Sequence, residues 1–314
     1  MNQKAVNEPV RSYEPGSIDR KNLQNKYDKM ANEVIEIPLI IGGKEVRTED
    51  QEQCVMPHDH QHILGNFHMA GENEVQLAID SSMSAWKTWS KVGLGERTKI
   101  FRKAAELLQG PWRDTINAAT MLNQSKNAFQ AEIDAACELI DFFNFNCQYA
   151  EDIYGNQPLI SPEGVKNSLE YRPLEGFVFA ITPFNFTSIA ANLPCAPALM
   201  GNVALWKPAS SAVLPCYFIM KMLKEAGLPD GVINFIPGSG AKVGDPVLTD
   251  SNLAGVHFTG STQTFQHIWK TIGKNIDGYK TYPRIVGETG GKDFCLAHES
   301  VNVNELATAM IRGA

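Results

Sequence analysis

The sequence has no CxxC pair, no apolar run approaching the roughly 20 residues a membrane helix needs, and no cluster of Lys and Arg. Each absence removes a class of protein. The six cysteines, Cys54, Cys137, Cys147, Cys195, Cys216 and Cys295, are scattered, and five sit beside apolar or small residues. That argues against a disulfide framework or a zinc site and fits a reducing compartment. The net charge is −7, and the most basic stretch, "RKNLQNKYDKM", is interrupted by acid and amide side chains. It reads as the solvated face of one element, and a nucleic-acid partner is not expected. No membrane partner is expected either. The N-terminus is too polar for a secretory signal. Glu8, Glu14 and Asp19 come too early for an Arg-rich, acid-poor organelle presequence. The mature form of an imported protein would look the same, so the compartment stays open.

What is present is an ordinary globular composition over 314 residues, enough for two domains. In the first 50 residues, "EIPLIIGGKEV" predicts a short hairpin turning at Gly42-Gly43. From Glu72 to about Tyr154 the pattern is helical. Val75, Ile79, Met83 and Trp86 recur at near 3.6-residue spacing, and so do Ile100, Phe101, Ala104, Leu107 and Leu108. "QAEIDAACELIDFFNFNCQYAEDIY" predicts a longer helix closed by Gly155. Residues 156–172, prolines and a glycine among β-type residues, predict an extended, hairpin-like excursion suited to meeting another chain.

After Glu175 the pattern changes. "GFVFAIT", "NVALWKP", "GVINFIP", "LAGVHFTG" and "YPRIVGE" are apolar strands of the doubly buried kind. Between them lie helices at 188–200, at 211–227, over "AKVGDPVLT" and over "STQTFQHIWKTIGKN". Alternation at this spacing predicts an α/β fold with a parallel sheet covered on both faces. Ligands of such sheets bind beyond the carboxyl ends of the strands.

Four strand ends carry polar residues. In "ITPFNF", Asn185 either caps the following helix or offers a neutral amide donor of the oxyanion-hole kind. In "LWKPAS", Lys207 either runs to solvent or donates to a ribose or phosphate, and Ser210 either caps the next helix or touches a ribose. In "FTGSTQTF", Gly260 and Ser261 open a helix whose free N–H groups suit a pyrophosphate. This is not GxGxxG, because Phe265 stands where a second glycine would be expected. In "RIVGETGG", Glu288 is a loop charge, a cap or a working base, beside two glycines that permit close backbone approach. Singly none is decisive; together they line successive strand ends of one sheet.

These segments, "PFNF", "GNVALWKPAS", "EAGLPDGVINFIPGSG", "FTGST" and "ETGGKD", resemble the aldehyde dehydrogenase superfamily in order and spacing over roughly residues 35–314. "AEIDAACELIDFFNFN", "APALMGNVALWKPA" and "FTGSTQTFQHIWK" resemble its delta-1-pyrroline-5-carboxylate dehydrogenase branch. The resemblance implies a Rossmann-like NAD-binding domain over 51–288, including an oligomerisation segment at 156–172. It implies an N-terminal extension at 1–50 and the beginning of a catalytic domain at 289–314. It implies NAD-dependent oxidation of L-glutamate γ-semialdehyde to L-glutamate in proline catabolism, a mitochondrial matrix location and a homo-oligomer.

The roles the resemblance implies fall on particular residues. Asn185 matches the oxyanion donor and Glu288 the general base. Thr182, Lys207, Gly260, Ser261, Thr262, Gln263 and Thr264 match cofactor-binding positions. Phe186 resembles an aromatic that packs on the aldehyde chain, and Glu138 a carboxylate near the substrate ammonium. A carboxylate at position 210 would favour NAD; Ser210 does not, so the preference for NAD comes from the resemblance. The family's nucleophilic cysteine lies in a "GQ-x-C" loop a few tens of residues after the glutamate, and this sequence stops at Ala314. The expectation is a chain without its nucleophile, inactive alone, with a non-catalytic NAD-binding fragment as the alternative. Cys295, in "FCLAH", is expected in a strand and in the core.

Overall fold

The computed structural model describes residues 4–291 and 294–313. The last two residues of "ETGGKD" lie outside them. Among these residues, ten strands and eleven α-helices follow one another along the chain. The strands are β1 (Ile35–Ile37), β2 (Leu39–Ile41), β3 (Lys44–Val46), β4 (Gln51–Met56), β5 (Asp59–His68), β6 (Phe177–Ile181), β7 (Val203–Lys207), β8 (Ile233–Phe235), β9 (Leu253–Thr259) and β10 (Arg284–Glu288). The helices are α1 (Ile18–Ala31), α2 (Glu72–Trp89), α3 (Leu94–Gln109), α4 (Arg113–Gln124), α5 (Ala128–Ala131), α6 (Glu138–Gly155), α7 (Thr187–Leu199), α8 (Val213–Glu225), α9 (Gly240–Thr249), α10 (Thr262–Lys274) and α11 (Val303–Gly313).

The main sheet has the order β10-β9-β6-β7-β8-β2-β3. Its five strands from β6 to β10 are mutually parallel, as the apolar runs predict. Phe177 to Ala180 and Val203 to Trp206 are buried without alternation. Such a pattern requires cover on both faces. The chain runs from β6 outward through β7 to β8, then returns past β6 to β9 and β10. The order reverses between β6 and β9, and that is the switch point where a crevice opens.

The expected hairpin is β2–β3, turning at Gly42 (φ +58°) and Gly43 (φ +74°), the paired positive φ of a two-residue hairpin turn. It joins the sheet antiparallel through Ile40 and Phe235. The buried Asn234 amide holds it there, accepting from the Gly42 N–H at 2.8 Å and donating to Ser82 Oγ on α2 at 2.8 Å. A second, three-stranded sheet, β1-β5-β4, has no counterpart in the sequence reading. Its longest pairing slips register near Cys54 and Val55, so the two-residue alternation that announces a strand is broken.

The long helix expected at 130–154 is α5 and α6 joined by one π-helical segment, Glu132–Cys137. Residues 156–172 form no ladder. Their two arms are instead tied by side chains: the Leu169 N–H donates to Gln157 Oε1, and the Asn167 N–H to Ser161 Oγ. The tip turns at Pro162 to Val165, with Gly164 at φ +77°. Leu159 and Ile160 stand almost wholly in solvent.

One expectation is corrected here. Cys295 is exposed and lies in no strand, and Phe294 and Leu296 beside it are exposed too. An apolar pentapeptide becomes a core strand only where a neighbouring strand satisfies its backbone, and none of the described residues pairs with this one. The other five cysteines are buried.

Candidate active site

The structure brings the four strand ends to one edge of the parallel sheet. β9 and β10 pair in register, Glu288 opposite Thr259, and β6 pairs with β9, Ile181 opposite Phe258. Thr182, Gly260 and Glu288 therefore emerge from three adjacent strands. Lys207 ends the next, opposite Ile181.

Thr182 is buried and its hydroxyl accepts from Trp206 Nε1 at 3.0 Å. Asn185 is exposed and is not a cap: α7 begins at Thr187 with Phe186 in the cap position and no side-chain cap bond. Among the described residues its amide has no partner. Ser210 does not cap α8 either. It opens a short 3₁₀ turn, Ser210–Ala212, with Ala209 as its cap residue.

A second correction concerns Gly260. Its N–H is not free, because it donates to the Glu288 carbonyl at 3.1 Å and extends the β9–β10 ladder. Ser261 caps α10, its hydroxyl accepting the Thr264 N–H at 3.1 Å. The N–H groups left without a helical acceptor are those of Thr262 and Gln263. Phe265 also finds its reason. A Cβ at Gly287 would lie 2.2 Å from the Phe265 ring, which stacks on Phe258 at 5.6 Å. The large ring fills the space that a small residue leaves on the neighbouring strand.

Between α9 and α10 lies a cleft of about 340 Å³, within the size range of small-molecule sites. Phe179, Ile181, Lys207 and Thr264 line it, with Gly240 and Gly244 along one wall. A Cβ at either glycine would meet no atom, so that wall is open backbone. Burial pulls the Lys207 ammonium below the ordinary lysine range. Its one hydrogen bond among the described residues is to the Pro208 carbonyl at 3.2 Å. A half-buried cation beside the N-termini of two helices suits an anionic or polyhydroxylated ligand. The residues present thus fit the ribose and phosphates of a dinucleotide.

On the other side of the Asn185 loop, Phe186 is covered by the Lys126 ammonium, 4.1 Å from the ring centre. Lys126 is itself paired with Asp134. Ser188 Oγ donates to Glu138, which is half-buried; burial first, and the nearby Asp134 and Asp141, raise its pKa against the hydrogen bond from Ser188. Sequence reasoning missed Lys126, Thr187 and Ser188. Each lies within a few residues of a marked position, but their contacts cross between helices and leave no periodic signal.

A parallel sheet with polar side chains gathered at its switch point, beside a cleft between two helix N-termini, is the class of α/β domain that carries nucleotide ligands. The family model for "Aldehyde dehydrogenase family" matches residues 45–314, and the chain belongs to that family. It is 49% identical over 311 residues to the mitochondrial delta-1-pyrroline-5-carboxylate dehydrogenase of Dictyostelium discoideum. That match covers 98% of this chain and 56% of the relative. The mitochondrial delta-1-pyrroline-5-carboxylate dehydrogenase of Homo sapiens is 45% identical, with 99% and 55% covered. The chain thus spans a little over half the length of these relatives. The crystal structure of the Mycobacterium tuberculosis delta-pyrroline-5-carboxylate dehydrogenase bound with NAD superposes with a TM-score of 0.97 at 50% identity, covering 99% of this chain and 58% of that one.

Proposed function

We propose that this chain is the cofactor-binding part of an NAD-dependent aldehyde dehydrogenase that oxidises L-glutamate γ-semialdehyde to L-glutamate in proline catabolism. The carrying observation is the register of β6, β9 and β10, which sets Thr182, Gly260 and Glu288 side by side at one sheet edge, next to the cleft. The likeness to pyrroline-carboxylate dehydrogenases over almost the whole chain supports the substrate.

When bound, NAD accepts a hydride. The chain's own residues do the rest that falls to it. Lys207 and Ser210 would hold the adenosine ribose, and the first turn of α10, Ser261 through Thr264, would meet the pyrophosphate through the free N–H groups of Thr262 and Gln263. Asn185, exposed and unpartnered, donates to the oxygen of the aldehyde as negative charge develops there. Glu288, at the free end of β10, takes the proton of the water that releases the acid. Phe186 and Glu138 border the substrate. The reacting thiol is not among the five buried cysteines. Burial pushes Cys54, Cys137 and Cys147 up to about 12 and raises Cys195 and Cys216 as well, so none holds a thiolate at neutral pH.

With those five thiols withdrawn, Cys295 is the one exposed thiol among the described residues and lies outside any strand, and a second reading is an NAD-binding fragment without turnover. Titration calorimetry with NAD, beside an NADH-formation assay with glutamate semialdehyde, separates the two. Saturable binding with turnover supports the enzyme, and binding without turnover supports the fragment. Failure to bind NAD overturns both. We also propose a homo-oligomer, supported by the solvent-facing Leu159 and Ile160 on the 156–172 excursion, and a mitochondrial matrix location, supported by the names of the relatives. Among the described residues no helix is long and apolar enough to cross a membrane.

A further inference from the structure

Three consecutive residues after Asn185 are each held by a different part of the helical layer. The Phe186 ring carries the Lys126 ammonium, the Thr187 hydroxyl is bonded twice from α4, and the Ser188 hydroxyl donates to Glu138 at the start of α6. The middle grip is the only one of the three made by two side-chain hydrogen bonds, and the one to Thr120 is buried at both ends. Thr187 is fully buried, with Thr120 Oγ1 at 2.8 Å and Gln124 Nε2 donating at 2.9 Å. Gln124 Oε1, by contrast, is buried with no partner among the described residues. An amide that leaves its own oxygen unsatisfied so that its NH₂ can reach Thr187 is costly in folding terms.

From these contacts we propose that Thr187 is a positioning residue for the Asn185 amide, held from beneath by Thr120 and Gln124. This rests on the oxyanion role proposed for Asn185. Asn185 is exposed and has no partner among the described residues, so its own side chain does not fix its direction. The helix that follows starts without a side-chain cap, so the usual lock on a first turn is also missing. What aims the amide is the backbone that follows it, and of the three residues gripped there Thr187 is the one held by two side-chain hydrogen bonds. A donor of this kind loses its effect when displaced by about 1 Å, on the order of a hundredfold in rate.

Two near-isosteric substitutions test it. Thr187→Val keeps the volume and removes the hydroxyl. Thr187→Ser keeps the hydroxyl and removes a methyl group from a packed site. Hydrogen–deuterium exchange of the amides from Asn185 to Ser188 is measured on the 314-residue chain, with NAD affinity and melting temperature followed on the same samples. The expectation is roughly tenfold faster exchange in T187V, exchange near wild type in T187S, and NAD affinity unchanged in both, because the cofactor cleft does not include this turn. Wherever the wild-type protein oxidises the aldehyde, kcat/KM falls ~100-fold in T187V, recovers in T187S, and leaves the KM for NAD alone. The reverse order, with T187S impaired and T187V like wild type, shows a packing role and overturns the proposal. So does unchanged exchange in T187V. A wild-type protein that neither binds NAD nor turns over defeats the functional reading, while the exchange result still decides whether Thr187 holds the turn.

Discussion

Thr259 and Glu288 face each other across the β9–β10 ladder, and the Thr259 hydroxyl donates to Glu288 Oε2 at 3.5 Å, the long end of hydrogen bonding. The contact is loose, and Glu288 is exposed at the end of an edge strand. A carboxylate so lightly held contributes little to stability. Its freedom to turn toward water or substrate is what a general base needs.

The first prediction follows from that pairing. Glu288→Gln preserves shape and the Thr259 contact while removing the base. In the dehydrogenase reaction it slows hydrolysis of the acyl intermediate more than hydride transfer. A rapid-mixing experiment should therefore record a pre-steady-state burst of NADH with steady turnover lost. Loss of the burst together with turnover contradicts the assignment. Melting temperature stays within about 1 °C of wild type, since an exposed substitution shifts stability by only about 0.5 kcal/mol or less.

Lys207 gives the second. Among the described residues it is the one lysine lining the cleft, and burial pulls its pKa below the ordinary lysine range. Lys207→Met keeps the stem and removes the donor, so it lowers NAD affinity by about tenfold or more, the worth of one charged hydrogen bond. Titration calorimetry reads this directly. Because burial lowers the Lys207 pKa, affinity in the wild type declines with rising pH before an ordinary lysine would titrate, and that decline is absent in the variant. Equal affinities at neutral pH would remove Lys207 from the site.

Legibility divides along physical lines. β6, β7 and β9 were readable because a strand buried on both faces must be apolar throughout, and "VFAI" and "VALW" have no other use. The strand-end residues were readable because a polar side chain after such a run is conspicuous. α1 was not located, because only Leu23 and Met30 of its 14 residues are buried. β4 and β5 were hidden by their register slips. The π-helical segment adds a residue to a turn, which a 3.6-residue period cannot reveal. Thr187, Gln124 and Lys126 were invisible for a different reason. Their importance lies in contacts that the end of α4 and the loop after it make with the start of α7, and sequence spacing carries no information on those.

The third prediction concerns Glu132, the first residue of that π-helical segment. It is fully buried and receives the Arg113 guanidinium, the Tyr13 hydroxyl at 2.7 Å, the Arg11 N–H at 2.8 Å and the Asn117 amide at 2.8 Å. Burial pushes its pKa up, and Arg113, Tyr13 and the Arg11 N–H together overcome that and leave it below 4.5. A depressed carboxylate contributes stability that is complete above 4.5 and lost as pH falls through the lower folded value. Glu132→Gln leaves Arg113 buried beside Glu8 alone and costs about 3 kcal/mol at pH 7. Urea melts at pH 7 and pH 3 check this: the difference between wild type and variant should shrink at the lower pH. A constant difference would show that the charge is not what matters.

Glu138, six residues further on, carries the opposite shift, and this fixes the fourth prediction. Burial comes first among the causes that lift its pKa above 4.5, with Asp134 and Asp141 adding to it, while Ser188 and Lys126 act the other way. The sign therefore reverses. The unfolded chain gives up this proton more easily than the folded one, so the folded state is progressively penalised as pH rises from about 4.5 through the higher folded value. Glu138→Gln removes the penalty and still accepts from Ser188 through its amide oxygen. At pH 7 the variant should melt at or slightly above the wild-type temperature, by a margin that vanishes near pH 4, where the wild-type carboxyl is protonated as well. If Glu138 also borders the substrate ammonium, the same variant raises the KM for the aldehyde while leaving kcat within about twofold, because a charge that attracts the bound substrate and the transition state alike acts on binding alone. A variant less stable than wild type at pH 7 would mean that the Ser188 bond outweighs desolvation, and the carboxylate would then be a structural anchor for the start of α7.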